Sequence, residues 1–391
     1  MPHTFPQARS KGQPETKPVT LWSTNDYLGM GHDARAIKAL QNEASQSGVS
    51  SGGTRNISGT HPLHNVIESR LAHLHGKEAA LLFNSGYAAN HFSLCCLGKL
   101  LPGCIFFSDA ENHASIIQGI RSSASHKVIF NHNSPADLEA KLKASDPNAP
   151  KVIVCESVYS MSGDFAPLQD FASLAKRYNA LLYVDEVHGV GLYGESGSGL
   201  CSQAGILESA TLIQGTLAKA FGSLGGYIAG DATLVDLIRS HASGFIFSTA
   251  LPPPVLAASL KNIESVTQDD TLRQQFWNNV QATKQALRIK GIAFQETPSH
   301  IIPLVVGNSE TCGKLAQALW TRHNLYVQAI NYPTVPKGTE RLRITPLRGH
   351  TPEMIEGLAN ALAEELDILG INVPAGGLAA KAVRQNYADG K

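Results

Sequence analysis

Short apolar runs recur along the chain, "CIFFSD", "KVIVCES", "ALLYVDE", "TLIQGT" and "GGYIAG", separated by longer stretches whose apolar residues return every three or four positions. "HNVIESRLAHLHG" and "LQDFASLAKRYN" are two such helical stretches. Strand-length runs alternating with helices predict an α/β domain around a largely parallel sheet. Prolines interrupt the pattern at "SGFIFSTALPPPVLAAS", and further helical stretches then lead to "HIIPLVVG" and "LRITP". This predicts a smaller α+β domain from about residue 253. The expected organisation is an N-terminal segment over 1–53, a large domain over 54–252 and a small domain over 253–391. The start "MPHTFPQARSKGQPETKP" and the end "PAGGLAAKAVRQNYADGK" read as a loose arm and tail, and the sequence contains no internal repeat.

Composition narrows the partners. With 43% hydrophobic and 16% charged residues, the 391-residue chain is an ordinary globular one, and its 32 basic and 32 acidic side chains cancel. Such a balance gives no pull toward nucleic acid or an anionic membrane, so a small molecule is the expected ligand. No apolar stretch approaches the ~18 residues of a membrane span, and the start lacks the apolar core of a secretory signal. The six cysteines form no C-x-x-C and sit mostly in apolar runs, as reduced thiols do. A cytoplasmic protein is expected. His61 with His64, and His73 with His75, lack carboxylate or cysteine companions at ligand spacing, so no metal site is expected.

The stretch "VDEVHGVGLYG" carries two competing signals. Gly189, Gly191 and Gly194 spell G-x-G-x-x-G after an apolar run, as a dinucleotide-binding turn would. That motif requires its third glycine to open a helix, and "ESGSG" after Gly194 is a poor helix start, so these glycines are expected to form a surface loop. The alternative signal is Asp185 and His188 at the carboxyl end of a strand, where open parallel sheets bind their ligands. Glu156 and Ser157 end the preceding strand run, and Lys219 follows the next one. A lysine for a Schiff base and an anion against a pyridine nitrogen are what pyridoxal 5'-phosphate (PLP) needs. Gly86 and Tyr87 at a loop-to-helix junction, with the Thr216 hydroxyl, are candidates for its phosphate. Taken alone, Lys219 reads as a solvated charge, His113 as a core histidine and Arg343 as half of a surface ion pair; the joint pattern favours the site.

Longer motifs then carry a resemblance. "NDYLGMG", "SGGTRNISGT", "LHGKEAALLFNSGYAAN", "NHASIIQGIR", "ESVYSMSGD", "VDEVHGVGLYG", "GTLAKAFGSLGGYIAG", "GFIFSTALPP" and "YVQAINYPTVPKGTERLRITP" run in order from Asn25 to Pro346. In that order they resemble the α-oxoamine synthases of PLP fold type I. The resemblance implies Lys219 as the Schiff-base lysine, Asp185 as the partner of the pyridine nitrogen and His188 as donor to the ring's phenolic oxygen. His113 would stack on the ring and donate to the acyl oxygen, and Ser160 would be a further cofactor-site group. Gly86, Tyr87 and Thr216 would hold the phosphate, with Ser248 or Thr249 reaching in from a second subunit of a homodimer with shared active sites. Arg343, assisted by Asn25, would grip the carboxylate of the amino-acid substrate. Thr54 and Asn56 of "TRN" match members that accept a succinyl group, and Lys127 sits where a basic residue meets the coenzyme A phosphates.

The implied reaction is a decarboxylative condensation of glycine with succinyl-CoA. The alternatives are another acyl-CoA, or a fold type I aldolase or aminotransferase, which would need Lys219 and Asp185 but not "TRN" or Lys127. The chain departs from the family at Ser162, Gly189 and Ala329, where aspartate, alanine and proline are usual. The family also carries a longer segment before "FP", with an arginine for the succinyl carboxylate, and this sequence offers no residue for that place.

Overall fold

The computed structural model describes residues 5–8 and 18–371. The expected loose arm, apart from residues 5–8 and 18, and the expected tail lie outside the described residues. Two compact units form, one from residues 30–159 and 165–270, the other from the described parts of 1–29, 160–164 and 271–391.

In the larger unit seven strands make one sheet: β1 (Ala79–Phe83), β2 (Ile105–Asp109), β3 (His126–Phe130), β4 (Lys151–Glu156), β5 (Ala180–Asp185), β6 (Leu212–Thr216) and β7 (Gly226–Gly230). Their order is β1-β7-β6-β5-β4-β2-β3, with β7 antiparallel to both its neighbours and the remaining pairs parallel. All five apolar runs of the sequence are strands of this sheet, and both helical stretches are helices, Pro62–Leu74 and Leu168–Arg177. The runs are continuous because the central strands are buried on both faces; every residue of β2, β4 and β6 is buried. This is the expected α/β, PLP fold type I architecture.

Four helices of this unit bear on the site and its boundaries: α1 (Ala34–Ser47), α2 (Gly86–Leu100), α3 (Ala114–Ser123) and α4 (Pro253–Gln268). Helix α1 packs along α4, and the Asn262 amide of α4 donates to the carbonyls of Met30 and Phe221. That long-range pairing draws both helices into the larger unit, so the expected boundaries near residues 53 and 252 fall inside it. Its core joins Leu94 and Leu97 of α2 to Phe106, Val152, Val154 and Ile228 of the sheet.

The smaller unit holds a three-stranded antiparallel sheet with β10 (Arg341–Ile344) between β8 (Ile302–Val305) and β9 (Ala329–Ile330). Trp22, Leu304, Leu319, Leu342 and Leu358 are fully buried in its core. Trp22 stacks on His350 with ring centroids 3.7 Å apart. Burial pushes the His350 pKa down to about 3, which keeps the ring neutral between the Leu347 N–H and the Leu21 carbonyl.

The glycines of "VDEVHGVGLYG" neither cradle a nucleotide nor form the expected surface loop. They fold over the buried carboxylate of Glu186, which accepts the Ser157 hydroxyl at 2.5 Å and the Cys201 N–H at 2.6 Å. A Cβ at Gly189 would lie 1.9 Å from Glu186 Oε2, and one at Gly199, where φ is +101°, 2.7 Å from the carboxyl carbon. Val190, Leu192, Tyr193 and Leu200 around them are buried. Gly194 is followed only by a distorted 3-10 turn over Glu195–Gly197; the next α-helical residues, Leu200–Gln203, make one turn, and Glu186 already bonds its first N–H groups. The position a pyrophosphate would take is filled by the protein's own acid.

Candidate active site

In the larger unit, parallel strands β2, β4, β5 and β6 bring Asp109, Glu156, Asp185 and Thr216 to one edge of the sheet. Asp185 is buried, accepts the Asn90 amide at Oδ2 (2.7 Å) and accepts the Val187 N–H at Oδ1 (2.8 Å). Its pKa stays above the ordinary aspartate value because burial outweighs the bonds from Asn90 and Val187 and the charges of Lys219 and His113, all of which act to lower it. Glu156 stands beside it in register, and burial first, then the Asp185 charge, pushes Glu156 well above the carboxylate range. Asp185 accepts two donors and Glu156 one, the His113 backbone N–H, so Asp185 is the better-supported anion of the pair.

Lys219 lies in the turn between β6 and β7, half-buried, with Nζ 2.8 Å from Nε2 of the buried His188. His113 caps α3: its Nδ1 accepts the Ser115 N–H at 3.2 Å and lies 2.7 Å from Ser115 Oγ, while its backbone N–H donates to Glu156 at 2.6 Å. An accepting Nδ1 leaves the ring proton on Nε2. The His113 side chain is solvent-exposed, and the exposed Tyr87 ring stands edge-on to it at 6.5 Å.

Ser85 caps α2 by accepting the Ala88 N–H. A helix start leaves its earliest N–H groups without intrahelical partners, so those of Gly86 and Tyr87 are available to an anion. A Cβ at Gly86 would come within 3.4 Å of Thr216 Oγ1. Thr216 is less free than its sequence position suggests. Its single hydroxyl proton goes to the Gly225 carbonyl at 2.9 Å, and its oxygen accepts the Ala218 N–H.

The structure thus gathers Gly86, Tyr87, His113, Asp185, His188, Thr216 and Lys219. Thr54 and Thr249 form a separate pair through an isolated β-bridge, beside the half-buried Ser248 and the exposed Asn56. Their loop is anchored by Arg55, whose guanidinium makes a bidentate pair with Glu68 and lies 5.6 Å over the Phe245 ring. Lys127 does not join the cluster. It is exposed at the second position of edge strand β3, toward the end of the sheet opposite the one carrying Asp185.

In the smaller unit Arg343 is buried on β10 and held at three points: Nε donates to the Ser160 carbonyl (2.7 Å), Nη1 to Asn25 Oδ1 (3.1 Å) and Nη2 to the Tyr27 hydroxyl (3.3 Å). Ser160 takes part through its backbone, and Asn25 meets Arg343 as the motifs implied. Arg341, its neighbour on β10, donates to the Thr339 and Met161 carbonyls. Sequence reasoning assigned no role to Tyr27, Arg55, Asn90 or Glu186, all of which hold site residues or their loops in place. Asn90 had a visible signal, a polar residue on the apolar face of a helix otherwise built from Ala89, Leu94 and Leu97.

A parallel sheet with a lysine, a buried aspartate and a helix N-terminus at its carboxyl edge defines a PLP-dependent enzyme of fold type I, and the chain belongs to the family described as aminotransferase class I and II, whose pattern matches residues 17–362. Within that family the resemblance to α-oxoamine synthases is borne out, and the curated relatives that match include 5-aminolevulinate synthases. That of Rhizobium meliloti is 50% identical over 359 residues, 92% of this chain and 89% of that protein. That of Bradyrhizobium diazoefficiens is 45% identical over 377 residues, 96% of this chain and 92% of the relative. Among solved structures, the serine palmitoyltransferase of Sphingomonas wittichii superposes with a TM-score of 0.88 at 31% identity, over 94% of this chain and 91% of that one.

Proposed function

We propose that this chain catalyses the PLP-dependent condensation of glycine with succinyl-CoA to 5-aminolevulinate, coenzyme A and CO2. The observation that carries the reading is the buried Asp185, held by the Asn90 and Val187 donors at the same edge of the sheet as Lys219, whose amine faces His188. These residues fit the cofactor. Asp185 offers an anion with lone pairs to spare for a ring N–H, Lys219 an amine, and α2 two N–H groups for a phosphate. Bound PLP supplies an electron-accepting ring that stabilises negative charge at the glycine α-carbon.

The chain's own residues do the rest. Lys219 anchors the cofactor and, once released, takes the α-proton on Nζ, with His188 Nε2 beside it to share the positive charge. His113, protonated on Nε2, is the donor for the acyl oxygen. Thr54 and Asn56 serve the succinyl end, and Ser248 or Thr249 the phosphate of a second subunit in a homodimer. Support for the dimer comes from Ile57 (85% exposed) and Phe247 (80% exposed), large apolar side chains adjacent in sequence to Asn56 and Ser248. All six cysteines are free thiols, which suits a cytoplasmic setting, and among the described residues no helix is long and apolar enough to cross a membrane.

Thiol release with glycine and a series of acyl-CoAs tests the reaction: succinyl-CoA is expected to outpace acetyl- and long-chain acyl-CoAs, and equal or faster release with either of those overturns the assignment. The amino-acid end has its own test. Lysine in place of Arg343 keeps the charge but cannot reach the Ser160 carbonyl, Asn25 and Tyr27 while presenting a planar fork. Arg343→Lys is expected to weaken glycine saturation by about 1.5–3 kcal/mol with the KM for succinyl-CoA little changed. A variant that instead raised only the acyl-CoA requirement would show that the two carboxylate sites had been exchanged.

A further inference from the structure

Asn90, in the second turn of α2, is buried and spends its amide on three partners, two on β5 and one on α3. Its Nδ2 donates to Asp185 Oδ2 at 2.7 Å and to Ser115 Oγ at 3.0 Å, and its Oδ1 accepts the Tyr183 hydroxyl at 2.9 Å. The carboxylate accepts only, so the amide orientation is fixed, with its NH2 toward Asp185 and Ser115. Because Ser115 Oγ accepts from Asn90, its own proton is directed to His113 Nδ1, 2.7 Å away. The proton of the imidazole then belongs on Nε2. One side chain thereby connects the residue proposed to face the pyridine nitrogen to the residue proposed to face the acyl oxygen, and every donor in the network points the same way, from Tyr183 to Asn90 and on through Ser115 to His113.

We infer that Asn90 is a positioning residue for both ends of the chemistry, holding Asp185 as the anion that receives the ring N–H and, through Ser115, holding His113 in its Nε2-protonated tautomer. The inference rests on the PLP reading above. Four titratable groups around Asp185 set the background against which the amide acts: Lys219 after β6, His113 at the start of α3, Glu156 on β4 and Tyr183 on β5. Burial raises the Asp185 pKa, and among the influences that oppose it the Asn90 hydrogen bond is the largest. A packing role alone would be served by an apolar residue, since the same face of α2 carries Ala89, Leu94 and Leu97.

The test compares the unaltered protein with Asn90→Ala, Asn90→Ser and Tyr183→Phe, each freed of cofactor and titrated with PLP. The pH dependence of the bound cofactor's absorbance and the thermal midpoint of the cofactor-free form are recorded beside it. Removing the amide is expected to weaken PLP binding by about tenfold or more and to shift the absorbance titration by roughly one pH unit, because a hydrogen bond to a buried anion is lost. Asn90→Ser should fall between Asn90→Ala and the unaltered protein, and it carries the test if Asn90→Ala does not fold. Tyr183→Phe leaves both Asn90 donors in place and should change PLP affinity by less than about threefold. Asn90 variants that lose thermal stability yet bind PLP with unaltered affinity and an unshifted absorbance titration would reduce Asn90 to a packing residue, as would Tyr183→Phe reproducing the full Asn90→Ala defect. If the unaltered protein takes up no PLP, the cofactor reading itself falls, an outcome distinct from either of these.

Discussion

Lys219→Ala is expected to leave a folded protein that still takes up PLP but turns over glycine and succinyl-CoA at least about a thousandfold more slowly, since both the anchoring amine and the base are removed together. Retention of PLP follows from the division of labour in the site. The N–H groups of Gly86 and Tyr87 at the start of α2 and the carboxylate of Asp185 would each meet a different part of the cofactor, and none of them depends on the lysine. Folding should survive because Lys219 is only half-buried and His188, 2.8 Å from its amine, is an imidazole that tolerates the neutral state. Borohydride reduction followed by removal of free cofactor is the decisive measurement. It should fix PLP to the unaltered protein and not to the variant; cofactor fixed to Lys219→Ala would mean that another lysine is the anchor.

How much of this site could be read from the sequence depends on where each residue's partners lie. Asp185 and Lys219 were legible because their residue types are unusual at the carboxyl ends of buried strands, and those strands announce themselves as continuous apolar runs. Strand β3 did not, because it is an edge strand whose first two residues are exposed, and Lys127 was read without knowing which end of that strand it occupied. Asn90 stood inside a quoted motif, yet nothing local says that its amide meets Asp185, 95 positions further on. Glu186 was hidden for the same reason beside a conspicuous neighbour, its partners being Ser157 and Cys201. The glycines after it were misread as a surface loop because glycine reports equally a turn and a close approach. Here the close approach, to a buried carboxylate, governs. The site residues of β10 were recognised by motif, but the three-point grip on Arg343 joins residues more than 300 positions apart with a carbonyl that no sequence pattern marks.

Asp185→Asn should be as damaging as loss of the lysine while changing the shape of the site least. Asp185 presently receives two donors, the Asn90 amide and the Val187 N–H, and has capacity left for a third. An asparagine at 185 can turn its oxygen to only one of them. If the oxygen stays on Val187, two NH2 groups face each other across the former Asn90 contact. If Asn90 turns over to relieve this, its donors leave Ser115, and the proton order that sets the His113 tautomer is lost with them. In neither arrangement does an anion face the ring nitrogen, so the nitrogen loses its proton and the ring its power to take up charge. Losing a buried ionic partner costs on the order of 3–5 kcal/mol, which predicts a fall in kcat of roughly two to four orders of magnitude. Steady-state turnover with glycine and succinyl-CoA, read beside a PLP titration, checks this. Near-native kcat in a fully loaded Asp185→Asn protein would remove Asp185 from the role and leave Glu156, its buried neighbour on β4, as the acid to examine.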